Sequence, residues 1–139
     1  MKHKRGFWRY LVPAEVLTSI GLTGIARNIL EKARKSAVDS GDGGRLAAVY
    51  AAQASLEKRQ GDADRAIELF KKVIEVAPSD EVGIRHCELA MLYIDKKDFN
   101  AAAKHFGQGM ESLGSNVGQR FKEDIAAKLE ECRQQLRQG

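Results

Sequence analysis

Two segments of the chain repeat the same order of small and large residues. In AIELFKKVIEVAP and AAKHFGQGMESLG, Ala66 corresponds to Ala102 and Phe70 to Phe106, so the two copies lie 36 residues apart. An earlier segment, GIARNILEKARKSAVDS, fits the same frame some 40 residues upstream of its counterpart. A period of this length is typical of stacked helical units, none of which can bury its apolar face alone.

The composition favours helices throughout. Only two prolines occur, Pro13 and Pro78, and the stretches between glycines are rich in Ala, Leu, Glu, Lys, Arg and Gln, which are strong helix formers. The final segment, VGQRFKEDIAAKLEECRQQLRQ, places its apolar residues on one stripe. Short polar side chains before the helical segments predict N-terminal caps at Asp62 or Asp64, Ser79, Asp80 and Asp98. The predicted fold class is therefore all-α.

Several classes of protein are disfavoured by what the sequence contains. Cys87 and Cys132 lie 45 residues apart without a CxxC motif, which predicts neither a disulfide framework nor a zinc ribbon and favours a cytoplasmic protein. Arg9 and Glu15 interrupt the apolar core that a secretion signal needs, and no stretch approaches the roughly 20 apolar residues of a membrane span. The sequence shows no motif that would combine a nucleophile, a general base and groups that stabilise an oxyanion. We therefore expect that the protein is not an enzyme and holds no cofactor.

The basic charge is concentrated at the N-terminus. Residues 1–35 carry eight Lys and Arg against two Glu, whereas residues 36–139 carry 15 against 17 acids. Mixed charge over the body disfavours a nucleic-acid partner. The basic and aromatic start leaves a minor alternative open, a peripheral protein tethered to an anionic membrane surface by an arm. This arm would consist of Lys2, Lys4, Arg5, Phe7, Trp8 and Arg9.

The histidines invite a metal interpretation that their spacing does not favour. His86 and Cys87 are adjacent and point in different directions on a helix, while His105 belongs to the following helix. Zinc sites need ligand spacings that this sequence lacks. We therefore predict no metal site, and a packed, hydrogen-bonded imidazole at His86.

The segment HCELAMLYIDKKDFNAAAKHF resembles a tetratricopeptide repeat, whose pattern is W-x2-L-G-x2-Y, then A-x3-F, then P. In this segment the Trp, Leu, Gly, Tyr, Ala and Phe places are taken by His86, Leu89, Ala90, Tyr93, Ala102 and Phe106. The preceding copy has Tyr50, Ala54, Gly61, Ala66, Phe70 and Pro78, and the first copy starts at Tyr10. These residues are predicted to form the core.

The resemblance implies antiparallel helix-turn-helix repeats stacked as a short right-handed solenoid. It further implies a basic arm at residues 1–6 and a single domain at residues 7–139. Within the domain we expect units at about 7–40, 43–78 and 80–114, followed by a capping helix at 117–138.

The family binds protein or peptide segments on a concave groove lined by the first helix of each pair. Carried over to this chain, the groove would consist of Ala48, Ala51, Ser55, Lys58, Arg59, Ile84, Cys87, Met91 and Ile94. This surface is small and apolar, so the resemblance implies an adaptor or assembly factor for a helical or apolar segment. Chaperone tails are disfavoured because Ala51, Ala52 and Glu88 stand where cationic or amide groups would be needed.

A second alternative concerns the occupant of this groove. Three units are near the lower limit for a stable stack, so its ends need capping or association with another copy. The groove could therefore be filled by the final helix, the N-terminal arm or a second chain, which would make the protein a homo-oligomer or self-assembling scaffold.

Overall fold

The computed structural model describes Val16 and residues 21–139, and residues 21–139 form six helices. These helices are α1 (Thr23–Ser40), α2 (Gly43–Arg59), α3 (Ala63–Val76), α4 (Val82–Asp95), α5 (Phe99–Glu111) and α6 (Gln119–Gln138). No strand occurs in this described part of the chain. The chain divides into two compact units between Ala77 and Pro78, the first containing α1 to α3 and the second α4 to α6. The predicted all-α class is confirmed.

Three of the helices begin at an aspartate cap. The side chains of Asp42, Asp62 and Asp98 accept a hydrogen bond from the backbone N–H three residues later, at 3.2, 3.0 and 3.1 Å. Each cap satisfies an amide that has no partner within its helix. The predicted caps at Ser79 and Asp80 are wrong, because α4 begins after Glu81, which makes no side-chain cap bond.

The turns inside the two helix pairs match bond for bond. After α2, the amide of Gly61 donates to Lys58 O at 3.0 Å and that of Asp62 to Glu57 O at 2.9 Å. After α4, the amides of Lys97 and Asp98 make the equivalent bonds to Ile94 O and Tyr93 O, at 2.8 and 2.9 Å. The residue at the tip has a positive φ in both turns, +82° and +61°. The 36-residue period of the sequence is therefore a period of the backbone, as expected of a helical repeat.

In the first unit, α2 packs against both α1 and α3. The alanines of α1 allow its backbone to come close to α2, because a methyl side chain takes up little space between two packed helices. This core consists of Ala26, Leu30, Ala33 and Ala37 of α1 with Val49 and Leu56 of α2. Ala66 and Phe70 of α3 are buried as predicted.

Tyr50 is less buried than its place in the repeat predicts. The ring is half-buried, with the Lys72 ammonium 5.8 Å from its centroid. The Arg34 side chain, which hydrogen-bonds to Glu31 at 3.0 Å, also lies near Tyr50. A tyrosine hydroxyl gains from such polar contacts, which accounts for its position at the edge of the core rather than inside it.

In the second unit, α5 packs against both α4 and α6. Its core consists of Cys87, Ala90, Ala102, Phe106, Ile125, Leu129 and Cys132. Helix α6 has one apolar stripe, as predicted, and the middle of this stripe is buried. Phe121 and Leu136 at its two ends are 37% and 45% exposed, because the 20-residue α6 is longer than the 13-residue α5 beneath it.

Candidate functional site

The first helices of the two described pairs are α2 and α4, which carry the predicted groove residues. In the first unit Ala48 and Ala51 of α2 are half-buried, while Ser55, Lys58 and Arg59 are exposed. Ala48 also packs against the core of that unit. Helix α2 therefore offers a face of small side chains that ends in two cations at its last turn.

In the second unit α4 offers larger apolar side chains. Ile84, Met91 and Ile94 are half-buried, and both Met91 and Ile94 also touch the core of the unit. The nearby charges are partly offset, because Arg85 donates to Glu88 at 2.9 Å and lies 3.8 Å from Glu81, which leaves one negative charge in excess. The outer face of α4 is thus apolar with little net charge.

Cys87 lies inside the second unit rather than on its surface. Its exposed fraction is 2%, and it belongs to the core together with Phe106 and Cys132. Burial, with a smaller effect of the Glu88 charge, raises the pKa of the Cys87 thiol to about 11, so that the thiol is neutral at neutral pH. Cys87 has no surface to offer a partner, which corrects its predicted place in the groove.

His86 and His105 meet across the second helix pair. The two Nδ1 atoms are 3.1 Å apart, joining α4 to α5. On its other side His105 lies parallel to Tyr93, with the ring centroids 5.4 Å apart and an angle of 6° between the planes. Burial lowers the pKa of His86.

The prediction of a hydrogen-bonded imidazole at His86 agrees with this contact, but the sequence reasoning missed its partner. His105 stands one residue before Phe106 of the A-x3-F pattern, on the second helix of the same pair. This position next to the phenylalanine of the pattern could have indicated from the sequence that His105 lies near His86.

A cavity of about 290 Å³ opens in the first unit, lined by residues of α1, α2 and α3. At its edge Arg27 donates to both carboxylate oxygens of Glu57, at 3.1 and 3.2 Å. The buried Leu30, Leu56 and Leu69 form its base. This ion pair links α1 to α2. Because Arg27 and Glu57 neutralise each other, neither offers its charge to a ligand.

Two of the sequence predictions concern other parts of the chain. The arm of Lys2, Lys4, Arg5, Phe7, Trp8 and Arg9 lies outside the described residues, and its contact with a membrane surface stays a prediction. Among residues that the structure describes, no helix is long and apolar enough to cross a membrane.

The repeated turns, the capped helix pairs and the alternating small and large core residues define a helical repeat protein. Residues 47–80 match the family model of the tetratricopeptide repeat, a segment that covers most of α2, all of α3 and the turn between them. This segment is therefore similar to a tetratricopeptide repeat, in agreement with the resemblance found in the sequence. A search of the curated proteins finds no match. Tetratricopeptide repeats generally mediate protein–protein interactions and are typically not enzymes.

Proposed function

We propose that this chain is a non-enzymatic adaptor or assembly factor that binds an apolar or helical segment of a partner protein on the outer face of α4. The supporting observation is that Ile84, Met91 and Ile94 are only half-buried on this helix, whereas Cys87, Leu89 and Leu92 are buried. Large apolar side chains kept in contact with water are typical of surfaces that a partner covers.

The chemistry of this face selects the kind of partner. An unbranched methionine adapts its shape to different apolar side chains, so Met91 suits a helix packed along α4. The ion pairs of Arg85 leave no strong net charge there, which disfavours a highly charged ligand. The affinity would come from burial of apolar surface, at roughly 25 cal/mol per Å² before the cost of association.

A corresponding surface is proposed on α2 of the first unit. Ala48, Ala51 and Ser55 would let the backbone of a partner approach closely, because none of them carries a large side chain. Lys58 and Arg59, exposed at the last turn, would favour an acidic group on the partner there.

A peptide-display selection against the full chain tests the proposal. Peptides selected on the wild-type protein should bind the Met91→Glu variant at least about tenfold more weakly, because a buried carboxylate opposes apolar contact. Met110→Glu is the matched control. Met110 is also a half-buried methionine and touches the same core, but lies on α5.

Urea unfolding of both variants separates folding from binding. The two substitutions remove similar contacts with the core, so we expect similar losses of stability and a loss of binding for Met91→Glu alone. Equal binding by both variants would refute the assignment to α4. Light scattering of the wild-type chain tests whether a second copy occupies the face instead, since the dimer would then dissociate in Met91→Glu.

A further inference from the structure

Tyr50, Gln53 and Glu57 form one face of α2, because residues three and four positions apart are neighbours on a helix. We call this surface the rear face of α2. Each of its residues comes two positions after a residue of the predicted groove, and two positions turn about 200° around a helix. These groove residues are Ala48, Ala51 and Ser55. The rear face therefore points away from the surface proposed above on α2.

Cations from two helices flank Tyr50 at one end of the rear face. Arg34 of α1 lies near Tyr50, and the Lys72 ammonium of α3 lies 5.8 Å from the centroid of the Tyr50 ring. Tyr50 is half-buried, whereas Lys72 is exposed. A phenol hydroxyl can donate a hydrogen bond, and hydrogen bonds to an ionised acceptor are the stronger ones. This end of the rear face therefore suits a group with a negative charge.

The acids near this phenol do not balance the cations. Glu31 accepts from Arg34 at 3.0 Å, and the charge of Lys35 acts on the same carboxylate. Within residues 21–139, Lys72 forms no ion pair, not even with Glu75 one turn further along α3. The three cations thus keep an excess of positive charge over the two carboxylates.

The remainder of the rear face is uncharged overall. The ion pair of Arg27 with Glu57 closes its other end, beside the cavity of about 290 Å³, and Arg65 at the edge of this cavity pairs with Glu68 at 3.3 Å. Pockets for small molecules commonly measure about 300–1,000 Å³, so this cavity suits a side chain of a peptide better than a cofactor.

The middle of the rear face matches a peptide backbone. The side-chain amide of Gln53 makes no hydrogen bond within residues 21–139, and it offers one acceptor and two donor hydrogens. Tyr50 and Glu57 stand seven positions apart, which is about 10 Å along a helix. An extended segment covers that length with about three residues.

We propose that the rear face of α2 binds a short, extended, acidic segment of a partner protein, with one carboxylate held by Arg34, Lys72 and the Tyr50 hydroxyl. Charge complementarity selects this occupant. Residues 1–20 of the chain itself carry four Lys and Arg against one Glu, so their charge does not suit the site. The site is independent of the apolar face of α4 proposed above. Exposed ion pairs are individually weak, so the affinity should fall as salt is added.

NMR of the full chain with labelled tyrosine rings tests the site, with an acetylated and amidated tetraglutamate peptide as the probe. We expect saturable shifts of the Tyr50 ring signals, which the spectrum of Tyr50→Phe assigns, and no shifts with the tetraglutamine peptide. Lys72→Ala should weaken the binding at least about threefold. Lys71→Ala is the matched control, because it removes the same charge from the neighbouring exposed position of α3.

Three results would overturn the proposal. The first is a Tyr50 ring that does not respond to tetraglutamate, and the second is equal weakening by Lys71→Ala and Lys72→Ala. The third is a duplex DNA or a phosphatidylglycerol vesicle that shifts the Tyr50 signals at lower concentration than the peptide, since the occupant would then be another polyanion. Met91→Glu should leave the Tyr50 shifts unchanged, so the α4 proposal and this one can fail separately.

Discussion

Gly109 of α5 packs directly on Gly83 of α4. A Cβ atom placed on Gly109 would lie 2.8 Å from the carbonyl oxygen of Gly83 and 2.6 Å from the sulfur of Cys87. Real Cβ atoms do not approach backbone oxygens this closely, so the two helices touch where neither residue has a side chain. This contact sets the spacing of the second helix pair, and with it the positions of Cys87 and His86.

Substitution of this glycine should loosen the pair. We expect Gly109→Ala to lower the free energy of unfolding by about 1–3 kcal/mol, because the added methyl group forces the helices apart. Urea unfolding followed by circular dichroism measures the change. Gly107→Ala is the control on the same helix, where an added Cβ meets no atom within 4 Å. That variant should gain up to about 1 kcal/mol from better helix propensity, and a loss of the same size in both would refute the close-packing explanation.

The turn between α4 and α5 carries a strained residue. Lys97 has φ of +61° at the place where the first unit has Gly61 with φ of +82°. A left-handed backbone costs a residue with a side chain about 1–2 kcal/mol, and glycine nothing. Lys97→Gly should therefore raise the stability by roughly 1 kcal/mol in thermal or urea unfolding. The neighbouring Lys96→Gly should lower it, because Lys96 has φ of −84° and gains nothing from the replacement.

Acid should destabilise the second unit through His86. Burial lowers the pKa of this imidazole in the folded protein, so folding favours its neutral form. The resulting stability is complete above the ordinary pKa of about 6.5 and declines as the pH falls below it. Protonation of both rings would also place two positive charges at the 3.1 Å contact. Urea unfolding should show lower stability at pH 5.5 than at pH 7.5. The difference should be smaller in His86→Phe and unchanged in His3→Ala.

The thiols of Cys87 and Cys132 should react slowly with thiol reagents in the folded chain. Burial raises the pKa of both Cys87 and Cys132, and the thiolate is the reactive form. We expect an aromatic disulfide reagent at pH 8 to label neither cysteine quickly, and both in concentrated guanidinium chloride. Ser115→Cys, at an exposed loop position, should add one rapidly labelled thiol. Gly109→Ala should speed the labelling of Cys87, and rapid labelling of Cys87 in the wild-type chain would contradict its burial.

The sequence predicts those features of the fold that depend on local signals. Asp62 and Asp98 indicate where helices begin. The Ala and Phe residues that recur after 36 residues were predicted to be buried, and they are. It does not predict which side of α4 the Cys87 side chain faces, because that depends on the close approach of α5 at Gly109. The contact of His86 with His105 depends in the same way on the register of two helices, which no single helical pattern contains.

The groove residues other than Cys87 stay predictions. Ala51 and Met91 are half-buried in their own units, so both keep part of their side chains accessible, as a binding role requires.

Within each unit, every closely packed pair of helices is also a pair of neighbours along the chain. Over residues 21–139, folding of each unit thus closes only short loops between helices, and loop closure is the entropic barrier that slows proteins with distant contacts. Folding can begin in either matching turn, at Asp62 or at Asp98, and spread to the adjoining helices. We expect refolding on the microsecond to millisecond timescale, set by chain topology rather than by total stability.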